Sequence, residues 1–418
     1  MGRNGLLLLL VGCAAGRLRT TGNAPQTVAV ASASAASDHA TSAGATGAET
    51  GRAVSAASSP GGTIPSPLPI AAVTAADGGS AASRGARTNA SHRSAIRLSS
   101  SDGAREDADL AEGDEAFERG DLLAARRAYQ SAHAASPANA GAAVGLARVR
   151  MALLDLPLDY GIAKGNADLS SVARELTRIS KEAPSFGPAF VELGRARLLL
   201  GDASGAVDAL KQATRLLPDD AEAQSQLAVA LLATGHAEEA VRGFSRAVEL
   251  DSGSAARHGN LGTALMMNGR TKDAIVEYEA RVGLDEEDAR AHSDLGTALL
   301  GTQDLERALS ELRRAVQLDP QRAAFHQNLG YALQQAGQVA RAIAEYREAL
   351  RLDPKLVSAW INLATALARD PSTRREARDA LERARSLSPD DPRVKPNLEE
   401  LGALEKGAAP RDAGAGRH

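Results

Sequence analysis

The sequence predicts an all-α chain, a solenoid of about eight helical hairpins closed by one further helix. Three observations predict it. A 34-residue period runs in register through Leu193-Gly194, Leu227-Ala228, Leu261-Gly262, Leu295-Gly296, Leu329-Gly330 and Leu363-Ala364. Thirteen residues after each leucine comes an alanine (Ala206, Ala240, Ala274, Ala308, Ala342), and four later a bulky residue (Leu210, Phe244, Tyr278, Leu312, Tyr346). Hydrophobic residues make up 44% of the chain but aromatics only 3%; alanine and leucine dominate, which suits packed helices. One such hairpin cannot bury its apolar face alone, whereas a stack of neighbours makes a continuous core.

Taken in chain order, residues 1–13 read as a targeting segment. Arg3 gives a minimal positive start, Leu6 to Val11 a short apolar core, and small Gly12 precedes Cys13, the only cysteine. Leu10-Val11-Gly12-Cys13 is similar to the bacterial lipobox. That resemblance implies cleavage before Cys13, a diacylglycerol on its thiol, and a lipid anchor in a bacterial cell envelope, at the periplasmic face of the outer membrane. An ordinary secretory signal is the alternative reading. A lone cysteine excludes an internal disulfide framework, and no apolar run approaches the ~20 residues of a membrane-spanning helix.

Residues 14–104 are built of Ala, Ser, Gly and Thr with scattered Pro. So little apolar surface cannot offset chain entropy, and the stretch is expected to be a disordered tether. At ~90 residues its root-mean-square span would be roughly 50 Å. Residues 1–104 hold eight arginines against four acidic residues, which leaves the remainder at about −8 within a whole-chain charge of −4. Neither half has the basic face of a nucleic-acid binder, so no nucleic-acid partner is expected.

The expected repeat units are 106–139, 140–186, 187–220, 221–254, 255–288, 289–322, 323–356 and 357–391, within a solenoid over 105–391. Each holds a helix A, a turn and a helix B. Gly120, Gly201, Gly235, Gly269 and Gly337 mark the turns, where a left-handed helix end suits glycine. Asp121, Asp202 and Asp304 follow at once and can cap helix B. The second unit is 13 residues long beyond the period, placed as a loop near Leu156–Asp168. Arg281 stands where helix B wants a small residue, and Glu286 where proline is usual, so looser stacking is expected around 275–290. Residues 392–405 read as a capping helix and 406–418 as a disordered tail.

With Pro137, Pro184, Pro218, Pro320, Pro354 and Pro389 closing units, the recurring positions resemble the tetratricopeptide repeat family over residues 106 to 391. The resemblance implies a right-handed α-α superhelix whose A helices line a concave groove that holds partners. Residues just before the recurring leucine then give a groove row of Gln226, Asn260, Asp294, Asn328 and Asn362. Three positions further on comes a second row, Val229, Thr263, Thr297, Tyr331 and Thr365, on the same helix face. An asparagine amide both donates and accepts, and asparagine ladders in similar arrays, as in O-linked N-acetylglucosamine transferase, hold the backbone of extended peptides. The competing reading is that these side chains bond neighbouring helices. The groove positions read as mostly neutral, which disfavours a carboxylate clamp of the chaperone type.

His258, His292 and His326 recur at the same spacing, but neighbouring helices lie 8–10 Å apart and zinc ligands sit ~2 Å from their metal. They occupy the position of Trp360 and read as packing residues, not a metal site. Asp285-Glu286-Glu287-Asp288 reads as a solvated turn. No phosphate loop, nucleophile elbow or paired-cysteine motif is found. The sequence thus points to a non-catalytic scaffold, without catalytic residues, cofactor or metal. It would bind other proteins through extended segments and a membrane through Cys13, and help assemble an envelope complex such as a type IV pilus or secretion system. The alternatives are a structural oligomer, a cytosolic co-chaperone-type adaptor and, least favoured, the substrate-recognition arm of a glycosyltransferase.

Overall fold

The structure, a computed structural model, describes residues 96–99, 105–156 and 161–407. The targeting segment with Cys13, most of the expected tether, and the last eleven residues lie outside the described residues. The described residues form seventeen α-helices and no strand. They are α1 (Arg105–Glu118), α2 (Leu122–Ala135), α3 (Ala140–Leu153), α4 (Ala167–Glu182), α5 (Gly187–Leu200), α6 (Ala203–Leu216), α7 (Ala221–Ala233) and α8 (Ala237–Leu250). There follow α9 (Ala255–Met267), α10 (Thr271–Leu284), α11 (Ala289–Gly301), α12 (Leu305–Leu318), α13 (Ala323–Gln335), α14 (Val339–Leu352), α15 (Val357–Leu367), α16 (Arg374–Leu387) and α17 (Val394–Glu405). Consecutive helices pack antiparallel in A–B pairs, each B helix packs on the next A helix, and the whole is a solenoid.

Local chemistry fixes the hairpins. Asp121, Asp202 and Asp304 cap α2, α6 and α12 by accepting the amide N–H three residues on, at 2.9, 2.9 and 3.3 Å. The five turn glycines have φ between 73° and 83°, the left-handed region. In the sixth hairpin Gln303 takes that conformation with φ 62°. In several hairpins helix A meets helix B at a glycine. A Cβ added at Gly194, Gly262, Gly296 or Gly330 would come within 2.4–2.8 Å of Leu210, Tyr278, Leu312 or Tyr346 respectively. The small residue after the leucine therefore sets the helix separation, and the bulky residue fills the space so made. Those four bulky side chains are buried, each worth about 1.5–3 kcal/mol by burial.

Successive A helices also touch: α1 with α3, α3 with α5, α5 with α7, α11 with α13, and α13 with α15. Successive B helices make no comparable contact, so the stack bends toward its A helices. The junction around 275–290 is only partly loose. Helix α10 packs on α11 as closely as other B–A neighbours, while the backbone of α9 lies less close to those of α7 and α11 than in other successive A helices. Arg281 is buried, not disruptive: it donates to Asp288 and Asp294, each at 2.7 Å, and Gly259 leaves the room for its stem. Asp288, read as part of a solvated turn, is thus its ion-pair partner and also caps α11 through Arg290 N at 2.9 Å.

The extra residues of the second unit lie between α3 and α4. Gly161 and Ala163 donate their N–H groups to Leu198 O and Leu199 O at 3.0 and 3.1 Å. The insertion thereby pairs the Leu199 carbonyl at the end of α5 and gives Leu198 O a second donor beside Gly201 N. The extra residue of the eighth unit is taken up by a 3-10 turn, Pro371–Thr373. Helix α17 covers the last hairpin with Leu401 and Leu404.

One sequence expectation is corrected. Residues 96–99, assigned to a disordered tether, form an extended segment packed on the stack. Ile96 is 5% exposed and Leu98 3%, while Arg97 between them is exposed. Alternation of apolar and polar residues is the pattern of a chain with one buried face, and Ile96-Arg97-Leu98 carries it inside a tract otherwise poor in such residues.

Candidate functional site: the inner face of the A helices

The inner face is built from the two groove rows, which recur because each A helix repeats its packing register. In the first three units the same positions hold Asp114 on α1, Arg148 on α3, and Glu192 and Arg195 on α5. Arg148 Nε donates to Glu192 Oε1 at 2.8 Å, and Arg148 NH1 lies 3.5 Å from Asp114 Oδ1. Its guanidinium also stands 5.4 Å over the Phe117 ring. Arg195 bridges Glu192 at 3.0 Å and Glu222 at 2.9 Å. Arg257 continues the line, with Glu222 at 3.5 Å, Asp251 at 3.0 Å and a donated bond to Ser225. Charges thus alternate along the face from Asp114 to Arg257. This corrects the reading of a mostly neutral groove, which rested on the later units.

Electrostatics follow from burial and pairing. Burial alone would raise the Glu222 carboxyl, but Arg195 and Arg257 hold it below the usual carboxylate range. Burial lowers Arg195, yet Glu192 and Glu222 outweigh it and push its guanidinium up. Tyr129 is raised well above the ordinary phenol range by burial, with the carboxylate of Asp114 beside it adding to the effect. Its hydroxyl donates to Asp114 Oδ1 at 2.8 Å.

This face holds the extended segment by its backbone. Leu98 N donates to Asp114 Oδ2 at 2.7 Å, and Arg148 NH2 donates to Ile96 O at 3.0 Å. Ile96 joins the apolar cluster of Val191 and Leu198, and Leu98 that of Leu110 and Ala142. The Leu98 carbonyl lies against Gly141, where a Cβ would come within 2.9 Å of it.

The residues expected to form a ladder have separate fates. Gln226 is buried and donates to Glu222 at 2.8 Å. Thr263 is buried and bonds Gly259 O and the Tyr278 hydroxyl. Asp294 serves Arg281. Asn328 is buried, and its amide donates to Ser293 Oγ at 3.1 Å, tying α13 to α11. Thr297 and Thr365 donate to carbonyls of their own helices, Ser293 O and Ile361 O. Asn260 and Tyr331 are half-buried, and Thr365 is exposed. Asn362 is half-buried, and its amide nitrogen, fully enclosed, has no hydrogen-bond partner. Buried polar groups take the nearest partner, which spends Gln226, Thr263, Asp294 and Asn328 on the stack itself. Asn260 and Asn362 remain the least committed.

The histidines form a regular bracket. In His258, His292 and His326 one ring nitrogen bonds a helix B carboxylate (Glu277, Glu311, Glu345) at 2.6–2.7 Å. The other bonds a turn carbonyl (Ser252, Glu286, Pro320) at 3.0–3.1 Å. Trp360 makes the same turn contact, donating to Pro354 O at 3.0 Å. The packing slot read from the sequence is thus also a polar clasp. The described residues contain no cluster of three or more His, Cys, Asp or Glu able to hold a metal ion.

These hairpins and their inner face define a helical-repeat binding protein. Tetratricopeptide-repeat family models match residues 197–261, 260–323 and 331–370, which supports a tetratricopeptide-repeat protein. The Cut9–Hcn1 hetero-tetramer of the APC/C has a similar fold, at TM-score 0.51 and 17% identity over 72% of this chain and 57% of that one. YrrB, described as a TPR protein with an unusual peptide-binding site, is 23% identical over 46% of this chain and 99% of its own, with TM-score 0.37. PilF of Pseudomonas aeruginosa is 19% identical over 51% of this chain and 97% of its own, with TM-score 0.44. No curated protein matches the sequence.

Proposed function

We propose that the chain is a non-catalytic scaffold that holds extended segments of other proteins along the inner face of its A helices. The observation that carries this reading is the seat of Ile96–Ser99: the face grips the backbone through one N–H and one carbonyl, contacts that any residue but proline can offer. The repeat matches support the protein-interaction role. Beyond it, the lipobox-like Leu10–Cys13 supports a lipid anchor, with the alanine- and serine-rich tract as tether and the periplasmic face of the outer membrane as location. Assembly of an envelope complex, such as a type IV pilus or secretion system, is the process this layout suits.

A photoreactive residue at Thr297, irradiated in cells, tests the groove. A trapped envelope protein supports the reading, and a chain that traps nothing speaks against it. Labelling with a radioactive fatty acid, in the native chain and in Cys13→Ser, tests the anchor. Label in the native chain alone is expected, and an unlabelled native chain removes the envelope assignment.

A further inference from the structure

The seat of Ile96–Ser99 is more than a point where the chain enters its first hairpin. We propose that the inner faces of α1, α3 and α5 are a binding site for extended partner segments with apolar side chains two residues apart, and that Ile96-Arg97-Leu98 occupies this site within the chain as a displaceable competitor. The proposal rests on the groove-binding reading above and gives it a ligand chemistry.

Four features define that chemistry. Asp114 accepts one backbone N–H and Arg148 donates to one backbone carbonyl, two residues apart on one edge of the segment. In an extended chain those two groups point the same way, so the pair reads backbone and not side chain. Apolar ground receives the first side chain in the cluster that includes Val191 and Leu198, and the second in the cluster that includes Leu110 and Ala142. The residue between them points to solvent, as Arg97 does, so its identity is free. Gly141 lets the segment's carbonyl approach the start of α3.

The polar partners argue for exchange over permanence. A fixed plug is most simply held by apolar packing, since a buried charge whose partner leaves is costly. Here the charges have support that does not depend on the segment. Asp114 keeps Tyr129, and Arg148 keeps Glu192, when residues 96–99 depart. The site can therefore empty without leaving either charge unpaired, which is what a reversible occupant requires.

The test uses the full chain and a fluorescein-labelled synthetic peptide carrying residues 94–101, followed by fluorescence anisotropy. Ile96→Asp combined with Leu98→Asp frees the site and is expected to bind the peptide at least tenfold more tightly than the native chain. Adding Gly141→Val to that variant, which narrows the seat without touching a charge, is expected to return the affinity to the native level. Equal affinity of native chain and variant, or no binding by either, overturns the proposal, as does binding indifferent to Gly141→Val. Should the variant melt early by circular dichroism, hydrogen exchange at the Leu98 amide of the native chain decides. Faster exchange on adding unlabelled peptide supports displacement, and unchanged exchange refutes it. Size-exclusion chromatography checks the variant for association, since a variant that pairs through its own segments instead of binding peptide also overturns it. A partner still trapped at Thr297 alongside a negative result removes only this site, whereas failure of both removes the groove reading.

Discussion

Arg148 Nε donates to Glu192 Oε1 across 44 residues of sequence, with the two side chains only 2% and 1% exposed. Removing one member of such a pair leaves a buried charge without its counterion, which costs about 3–5 kcal/mol. Arg148→Ala is therefore expected to lower the denaturation midpoint sharply, while Arg119→Ala, at an exposed i,i+4 pair with Glu115, leaves it nearly unchanged. Comparable midpoints for the two variants would contradict the buried pairing.

The clasp at His326 makes stability depend on pH. Burial opposes its charging, but the Glu345 carboxylate and the Pro320 carbonyl outweigh burial, with Glu348 adding to them, and raise the imidazolium above its ordinary value of 6.5. A raised folded-state value means the contribution is complete below 6.5 and is lost as pH rises through the folded value. Glu222 works in the opposite sense. Its lowered carboxyl contributes fully above the ordinary 4.5 and is lost as pH falls through the folded value. Urea midpoints measured from pH 6 to 9 should decline less steeply in His326→Gln than in the native chain; parallel declines remove the assignment.

Glycine 330 tests the hairpin geometry. A methyl group there would meet the Tyr346 ring at 2.8 Å, and overpacking of this kind costs about 1–3 kcal/mol. Gly330→Ala should lower the thermal midpoint. The helix ends of the same hairpin should keep their protection in hydrogen exchange, because the caps are untouched.

Gln303 offers the reverse. It holds φ 62° at the turn where five other hairpins have glycine, and a side chain in that region costs about 1–2 kcal/mol, partly cancelled by the 0.5–1 kcal/mol entropic cost of glycine. Gln303→Gly is expected to raise stability by about 0.5–1 kcal/mol in urea denaturation. A loss would mean that its side chain contributes more than its backbone strain costs.

Asn328 and Asn362 hold equivalent places but should respond differently. Asn328→Ala deletes a buried bond to Ser293 and should cost about 1–2 kcal/mol. Asn362→Ala removes an amide nitrogen with no partner and should leave the midpoint within about 0.5 kcal/mol. If Asn362 serves a partner, its loss appears instead in the yield of the Thr297 crosslink.

The fold was legible because one period governs leucine, glycine, alanine and the bulky residue together, so each unit corroborates the next. The site was legible only in part. The rows containing Asn260, Asn328 and Asn362 followed from helical spacing, but nothing local in the sequence says that Asn328 spends its amide on Ser293 or Asp294 its carboxylate on Arg281. Those pairings depend on how neighbouring helices meet. The charged line from Asp114 to Arg257 was less legible: the neutral rows begin at Gln226 in the fourth unit, and the insertion takes Asp114 and Arg148 out of the 34-residue register. Ile96 and Leu98 were lost in the composition of the tract around them, although their alternation was visible.

In this stack each B helix leans on the next A helix, and among the described residues close packing joins only neighbouring hairpins. A load applied to its ends would therefore be borne in series, and the chain should lengthen hairpin by hairpin, in steps of one repeat. Such a body behaves less like a rigid block than like a ratcheted cord, able to stay engaged while whatever it links drifts apart.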